Sequence, residues 1–137
     1  MPDRQAVTLS VKKSATIYIS LMFMFDGMGS LTSLNVTNFD GSVVTKADAM
    51  FANCSKLTEL NLPNFTSPNL AEANSMFYNM PNLTKLNIPK MSFSSLNSYG
   101  SIFEILPEEL NIIVKDQTTK DWILGINSEF TNIQIAS

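Results

Sequence analysis

One recurring dipeptide constrains this chain more than any other feature. Met-Phe occurs at Met24-Phe25, Met50-Phe51 and Met76-Phe77, and Ile102-Phe103 continues the series, each copy 26 residues after the last. The rest of the unit keeps the same step. Leu31, Leu57 and Leu83 match, as do Leu34, Leu60 and Leu86, then Val36, Leu62 and Ile88. Phe39, Phe65 and Met91 follow, and after them Val44, Leu70 and Leu96. In the last copy Leu110-Asn111-Ile112 arrives 24 residues after Leu86-Asn87-Ile88, which reads as a deletion of two residues. A unit this short cannot bury its own apolar side, so a self-similar period of this length requires neighbouring units to stack.

Within each unit L-x-x-L-x-L reads as a short strand whose alternate residues point inward. Leu60 and Leu62 face the core, while Glu59, Asn61 and Pro63 face out. Stacked units place such strands side by side at about 4.8 Å. The expected fold is a leucine-rich repeat solenoid of about four 26-residue coils, with a parallel β-sheet on one face and short helical turns opposite. The recurrence of Met24, Met50 and Met76 marks an interior position. Cys54 has Met28, Met80 and Leu106 as its equivalents and is expected in the core as a small hydrophobe.

The segment Met50-Phe-Ala-Asn-Cys-Ser-Lys-Leu-Thr-Glu-Leu-Asn-Leu-Pro-Asn-Phe65 resembles the unit of BspA-like leucine-rich repeat surface proteins, over about residues 24–112. Phe39, Phe65 and Met91 stand where common leucine-rich repeats carry an asparagine. The resemblance implies a non-enzymatic recognition or adhesion module on a bacterial surface, extracellular, whose partner is a protein or glycan of a host or bacterial cell. A virion alternative has the same scaffold: a receptor-binding or structural domain of a phage tail or baseplate fibre that binds host cell-wall polysaccharide. Either role gains from multivalent display of a modest binder.

Both ends of a solenoid need covering. Residues 1–23 read as an N-terminal cap or degenerate first coil, with strand candidates at Ala6–Val11 and Thr16–Ile19, and 24–112 as the repeats. Residues 113–137 form an α/β C-terminal cap. There Asp116 is the expected N-cap of a helix from Gln117 to Leu124, with Trp122 and Ile123 inward and Gly125 as C-cap. Phe130 to Ile135 alternates like a last strand. Lys12-Lys13 and the apolar run Ala15–Phe25 have the outline of a secretion signal, but no small-residue cleavage pattern follows and the repeat claims Met24 and Phe25. The 11-residue run is also too short for a membrane span, which takes about 20.

Composition narrows the chemistry. Histidine is absent and cysteine single, which removes Ser-His-Asp and Cys-His catalysis, Cys/His zinc sites and intrachain disulfides. No glycine-rich phosphate loop or D-x-D-x-D-G calcium loop is present, so no cofactor or metal is expected. The carboxylate clusters Glu108-Glu109 and Asp116 with Asp121 do not recur, and no catalytic residue is assigned to them. With net charge −3 and no basic run beyond Lys12-Lys13, neither nucleic acid nor an anionic membrane is an expected partner. Charged residues make up only 15%, whereas Asn, Ser and Thr fill 41 of 137 positions. The four sequons at Asn35, Asn53, Asn64 and Asn82 follow from that composition.

The outward strand positions carry the candidate ligand-binding residues: Ser33, Asn35, Thr37, Glu59, Asn61, Lys85, Asn87 and Asn111. Asn35, Asn61, Asn87 and Asn111 are expected in one column, their amides stacked and hydrogen-bonded along the sheet. Such a column serves either as a recognition surface, through neutral hydrogen bonds, or as a device that solvates and stabilises the sheet.

Overall fold

The computed structural model describes residues 6–11 and 19–137. The chain winds as a coil with three repeating walls. The first wall is a six-stranded, wholly parallel sheet. Its strands, in spatial order, are β1 (Ala6–Val11), β3 (Ser33–Phe39), β5 (Glu59–Asn61), β6 (Lys85–Ile88), β7 (Asn111–Val114) and β8 (Ile133–Ile135). The second wall begins with β2 (Ile19–Ser20) paired to β4 (Val44–Lys46) and continues as single bridges from Lys46 to Glu72 and from Glu72 to Ser98. A short 3-10 turn, Gly41–Val43, joins the first two walls in one coil. Of the two N-terminal strand candidates, Ala6–Val11 is a strand, and Thr16–Tyr18 lies outside the described residues.

The third wall is built from turns, at 21–28, 47–54, 73–80 and 99–106. Each turn holds two residues in the left-handed region, four apart: Phe23 and Gly27, Ala49 and Asn53, Ser75 and Asn79, Ser101 and Ile105. The alternation turns every second peptide unit along the solenoid axis. The N–H groups of Phe23, Phe25 and Gly27 donate to the carbonyls of Asp48, Met50 and Ala52, and the next two coils repeat the pattern. The apolar run that resembled a secretion signal therefore ends as the first of these turns, packed on the second.

Leucine periodicity fills the interior. Leu34, Leu60 and Leu86, with Val36, Leu62 and Ile88, point from the sheet into one continuous core. Phe25, Phe51, Phe77 and Phe103 form a second column from the turn wall. Their ring centroids are 5.7, 6.0 and 5.7 Å apart, and successive rings lie within 7° of parallel. Offset stacking at this separation adds to the burial of each ring.

Three expectations need correction. Met50 and Met76 are buried as expected, but Met24, in the first turn of the described stack, is 41% exposed while Phe25 beside it is buried. The last copy contains no deletion within its strand: Leu86 pairs with Ile112 and Ile88 with Val114, which preserves the 26-residue step. The match of Leu110-Asn111-Ile112 to Leu86-Asn87-Ile88 was a local coincidence of residue types. Lastly, Gly125 is not the helix C-cap. Helix α1 runs from Gln117 to Ile126 and Asn127 caps it, its N–H bonding to the Ile123 carbonyl.

The helix does begin as the sequence implies. Asp116 is extended, and its Oδ1 accepts from the Thr119 N–H at 2.9 Å and from the Thr119 hydroxyl at 2.8 Å. Ile123 is fully buried and Trp122 half-buried, so α1 lays its apolar side across the last coil. Phe130 closes against Phe103, and β8 then adds the final strand to the sheet.

Candidate functional site

The outer side of the sheet is set by strand alternation. In β3 the pattern places Leu34 and Val36 inside while Ser33, Asn35 and Thr37 are exposed. Strand pairing then aligns the outward residues in rows. One row runs Glu59, Lys85, Asn111 by direct pairing, with Ser33 two residues before Asn35 and so beside Glu59. The next runs Asn35, Asn61, Asn87, Ile113 and Gln134. Seven of the eight candidate residues thus fall where the repeat places them. Asn111 falls one row away, opposite Lys85 instead of Asn87, and its Oδ1 is buried without a hydrogen-bond partner.

The asparagine column is real in backbone register but is not an amide ladder. Asn35 Oδ1 turns back on its own strand, accepting from the Thr37 N–H at 3.0 Å and the Thr37 hydroxyl at 2.8 Å. Among the described residues, the half-buried side-chain amides of Asn61 and Asn87 have no hydrogen-bond partner. Glu59 and Lys85 are register partners, yet the ion pairs of the described residues are Lys46 with Glu72 and Lys115 with Asp116. The strand face therefore presents two amides and two opposite charges that no hydrogen bond or ion pair among the described residues uses.

Side-chain ladders exist on the other walls, where sequence reasoning did not place them. On the turn wall Asn79 donates to Asn53 Oδ1 at 2.8 Å, and Asn53 donates to Asp26 Oδ1 at 2.9 Å. At the corner between the second and third walls, buried Asp48 accepts from both the backbone and the side-chain N–H of Asn74, at 2.6 and 2.9 Å. Asn74 in turn donates to Ser98 Oγ and accepts from the Gly100 N–H. The 26-residue series Asp48, Asn74, Gly100 was available in the sequence as a signal. A third device recurs at a step of 27: Asn64, Asn69 and Asn82 each donate to a carbonyl of the preceding coil, on Thr37, Ser42 and Ser55. Three of the four sequon asparagines, Asn53, Asn64 and Asn82, thus bind coil to coil through their amides.

Cys54 is fully buried, and its thiol donates to the Phe25 carbonyl at 3.2 Å. Burial, against the opposing effect of a backbone hydrogen bond near Met28, pushes the thiol up to about 11. At neutral pH it is protonated, the form without nucleophilic strength. Glu108, Glu109 and Asp121 are exposed, and Asp121 accepts from Gln117 on the helix surface. Among the described residues no group of three or more His, Cys, Asp or Glu side chains is placed to hold a metal ion, and no helix is long and apolar enough to cross a membrane.

A cleft of about 450 Å³ opens beyond the C-terminal ends of β6 and β7, between the loop 92–99 and the start of α1. Tyr99 and Trp122 line it, with Asp116 and Lys115 at its edge. The sequence reading placed Trp122 in the cap and did not connect it to Tyr99, because the two meet only when the cap folds onto the last coil.

Comparison with known proteins adds one assignment. No curated protein and no solved structure matches the chain. Residues 6–114, which contain every strand from β1 to β7, match the family described as "Mycoplasma protein of unknown function, DUF285", and the chain belongs to that family.

Proposed function

We propose that this solenoid is a non-enzymatic recognition module, displayed on a bacterial surface in several copies, and that a protein of a host cell lies across its strand face. The observation that carries the reading is the uncommitted polar set on that face: among the described residues the Asn61 and Asn87 amides have no partner, and Glu59 and Lys85 stand in register beside them outside any ion pair. A parallel ladder holds these groups at fixed spacing, so contact orders few side chains and little entropy is lost. The resemblance of the repeat unit to BspA-like surface proteins supports display on a cell surface. With 15% charged residues, binding is expected to depend weakly on salt.

The test measures binding of the fluorescently labelled protein to cultured mammalian cells, alongside the melting curve of each variant. Asn61→Asp combined with Asn87→Asp places two like charges in one row. Saturable binding that falls far more than thermal stability in this variant is the expected result. Absence of saturable binding by the unaltered protein, or equal loss of binding and stability in the variant, overturns the strand-face assignment.

A further inference from the structure

We propose a second, independent site: the cleft between the loop 92–99 and α1 binds a neutral saccharide. Its volume of about 450 Å³ lies within the range usual for small-ligand sites, about 300–1,000 Å³. Aromatic rings from both the loop and the helix line the cleft. Tyr99 is 40% exposed and meets Trp122 edge to face at 5.2 Å. Phe93, itself buried, stacks on Trp122 at 4.7 Å and 12° and holds the indole in place. Flat apolar rings of this kind suit the C–H face of a sugar ring.

The polar side is equally prepared. Asp116 Oδ1 is saturated by the two Thr119 donors, which fix the carboxylate plane. Among the described residues its Oδ2 has only Lys115 Nζ, at 3.7 Å, and retains lone pairs for a ligand hydroxyl. The same two donors hold the Asp116 carboxyl below its ordinary range, so this acceptor is charged at neutral pH. Ser92 and Ser94, whose hydroxyls lie 2.9 Å from each other, also line the cleft. An anionic ligand would sit beside the carboxylate, and a wholly apolar one would strip water from Asp116 and Lys115 without replacing it. A polyol with one apolar face satisfies both walls. An adjoining groove of about 580 Å³ shares Ser92, Ser94 and Lys115 and continues past Pro68 and Pro89, giving room for further sugar units.

Trp122 is the only tryptophan, so selectively excited tryptophan fluorescence reports from this cleft. The test titrates the full chain with maltohexaose, cellohexaose, chitohexaose and mannohexaose in turn. At least one is expected to give a saturable change, with affinity reduced about tenfold or more by Tyr99→Ala, as for other aromatic anchors. Thr118→Phe, at an exposed position on the cleft wall, should block the same ligand without touching the core. The Asn61→Asp, Asn87→Asp variant should keep its saccharide affinity, which separates this site from the strand face. No saturable change with any of the four probes, or a saturable change that both cleft variants leave intact, overturns the proposal.

Discussion

Asn79 donates its side-chain amide to Asn53 Oδ1 at 2.8 Å, and both residues hold left-handed backbone, with φ of 56° and 63°. Asparagine serves both needs at once. It tolerates the left-handed region better than most residues, and its amide both donates and accepts along the stack. Glycine meets the first need alone, as at Gly27 in the first turn.

Two substitutions at position 79 separate these roles. Asn79→Gly should lose only the amide link, about 1 kcal/mol. Asn79→Ala should lose the link and also hold a Cβ residue at positive φ, for about 1 kcal/mol more. Urea midpoints of the two variants check the order. Equal midpoints would mean that the turn wall relaxes out of its left-handed conformation at no cost.

Gly41 predicts a larger effect from space alone. A Cβ added there would overlap the Thr66 carbonyl oxygen and lie 2.9 Å from the Phe65 ring. The obstructing oxygen belongs to the backbone of the next coil, so no side-chain rotation relieves the clash. Gly41→Ala should cost about 1–3 kcal/mol or more, by forcing two coils apart. A thermal melt within error of the unaltered protein would show that the corner opens freely.

The strands, the core and the helix start were legible because each rests on local pattern. Leu60 and Leu62 alternate, Phe25, Phe51, Phe77 and Phe103 keep step, and Asp116 precedes an apolar stripe. The turn wall was not legible in the same way. Its first left-handed residues are Phe23, Ala49, Ser75 and Ser101, which residue preference does not mark, although Gly27, Asn53 and Asn79 at the second position are types that favour the region; in the first three turns the bonds to carbonyls of the next coil hold the conformation. The polar ladders were misplaced for a related reason. Asn35, Asn61 and Asn87 are as periodic as Asn53 and Asn79, and period alone does not say whether an amide reaches its neighbour. Asn111 failed because residue type was matched against a shifted copy, while the strand kept its 26-residue register. The Tyr99–Trp122 cleft depends on how the cap docks, which no repeat encodes.

Cys54 offers a probe of coil integrity. Its thiol is buried, bonded to the Phe25 carbonyl and pushed up to about 11 by desolvation. Modification by a thiol-specific reagent at neutral pH should proceed only through opening of the first two coils, and so should accelerate steeply with denaturant. Labelling of the native protein as fast as a free cysteine would contradict the buried position.

Asp116 makes stability depend on acid. Its ionised carboxylate accepts the Thr119 N–H and hydroxyl at the N-terminus of α1, with Lys115 nearby, and all three favour the charged form. The folded-state pKa is therefore lower than the unfolded value of about 3.9. A depressed carboxylate pKa contributes stability that is fully present above the unfolded value and is lost as pH falls through the folded one. Asp116→Asn retains an acceptor for the cap but does not titrate. The stability difference between the unaltered protein and Asp116→Asn should stay constant from neutral pH to about 5, then shift against the unaltered protein at lower pH. Urea midpoints measured in parallel down to about pH 2 give the comparison directly. A difference that remained flat over the whole range would mean that the cap carboxylate titrates alike in both states, and that the Thr119 bonds are too weak to bias it.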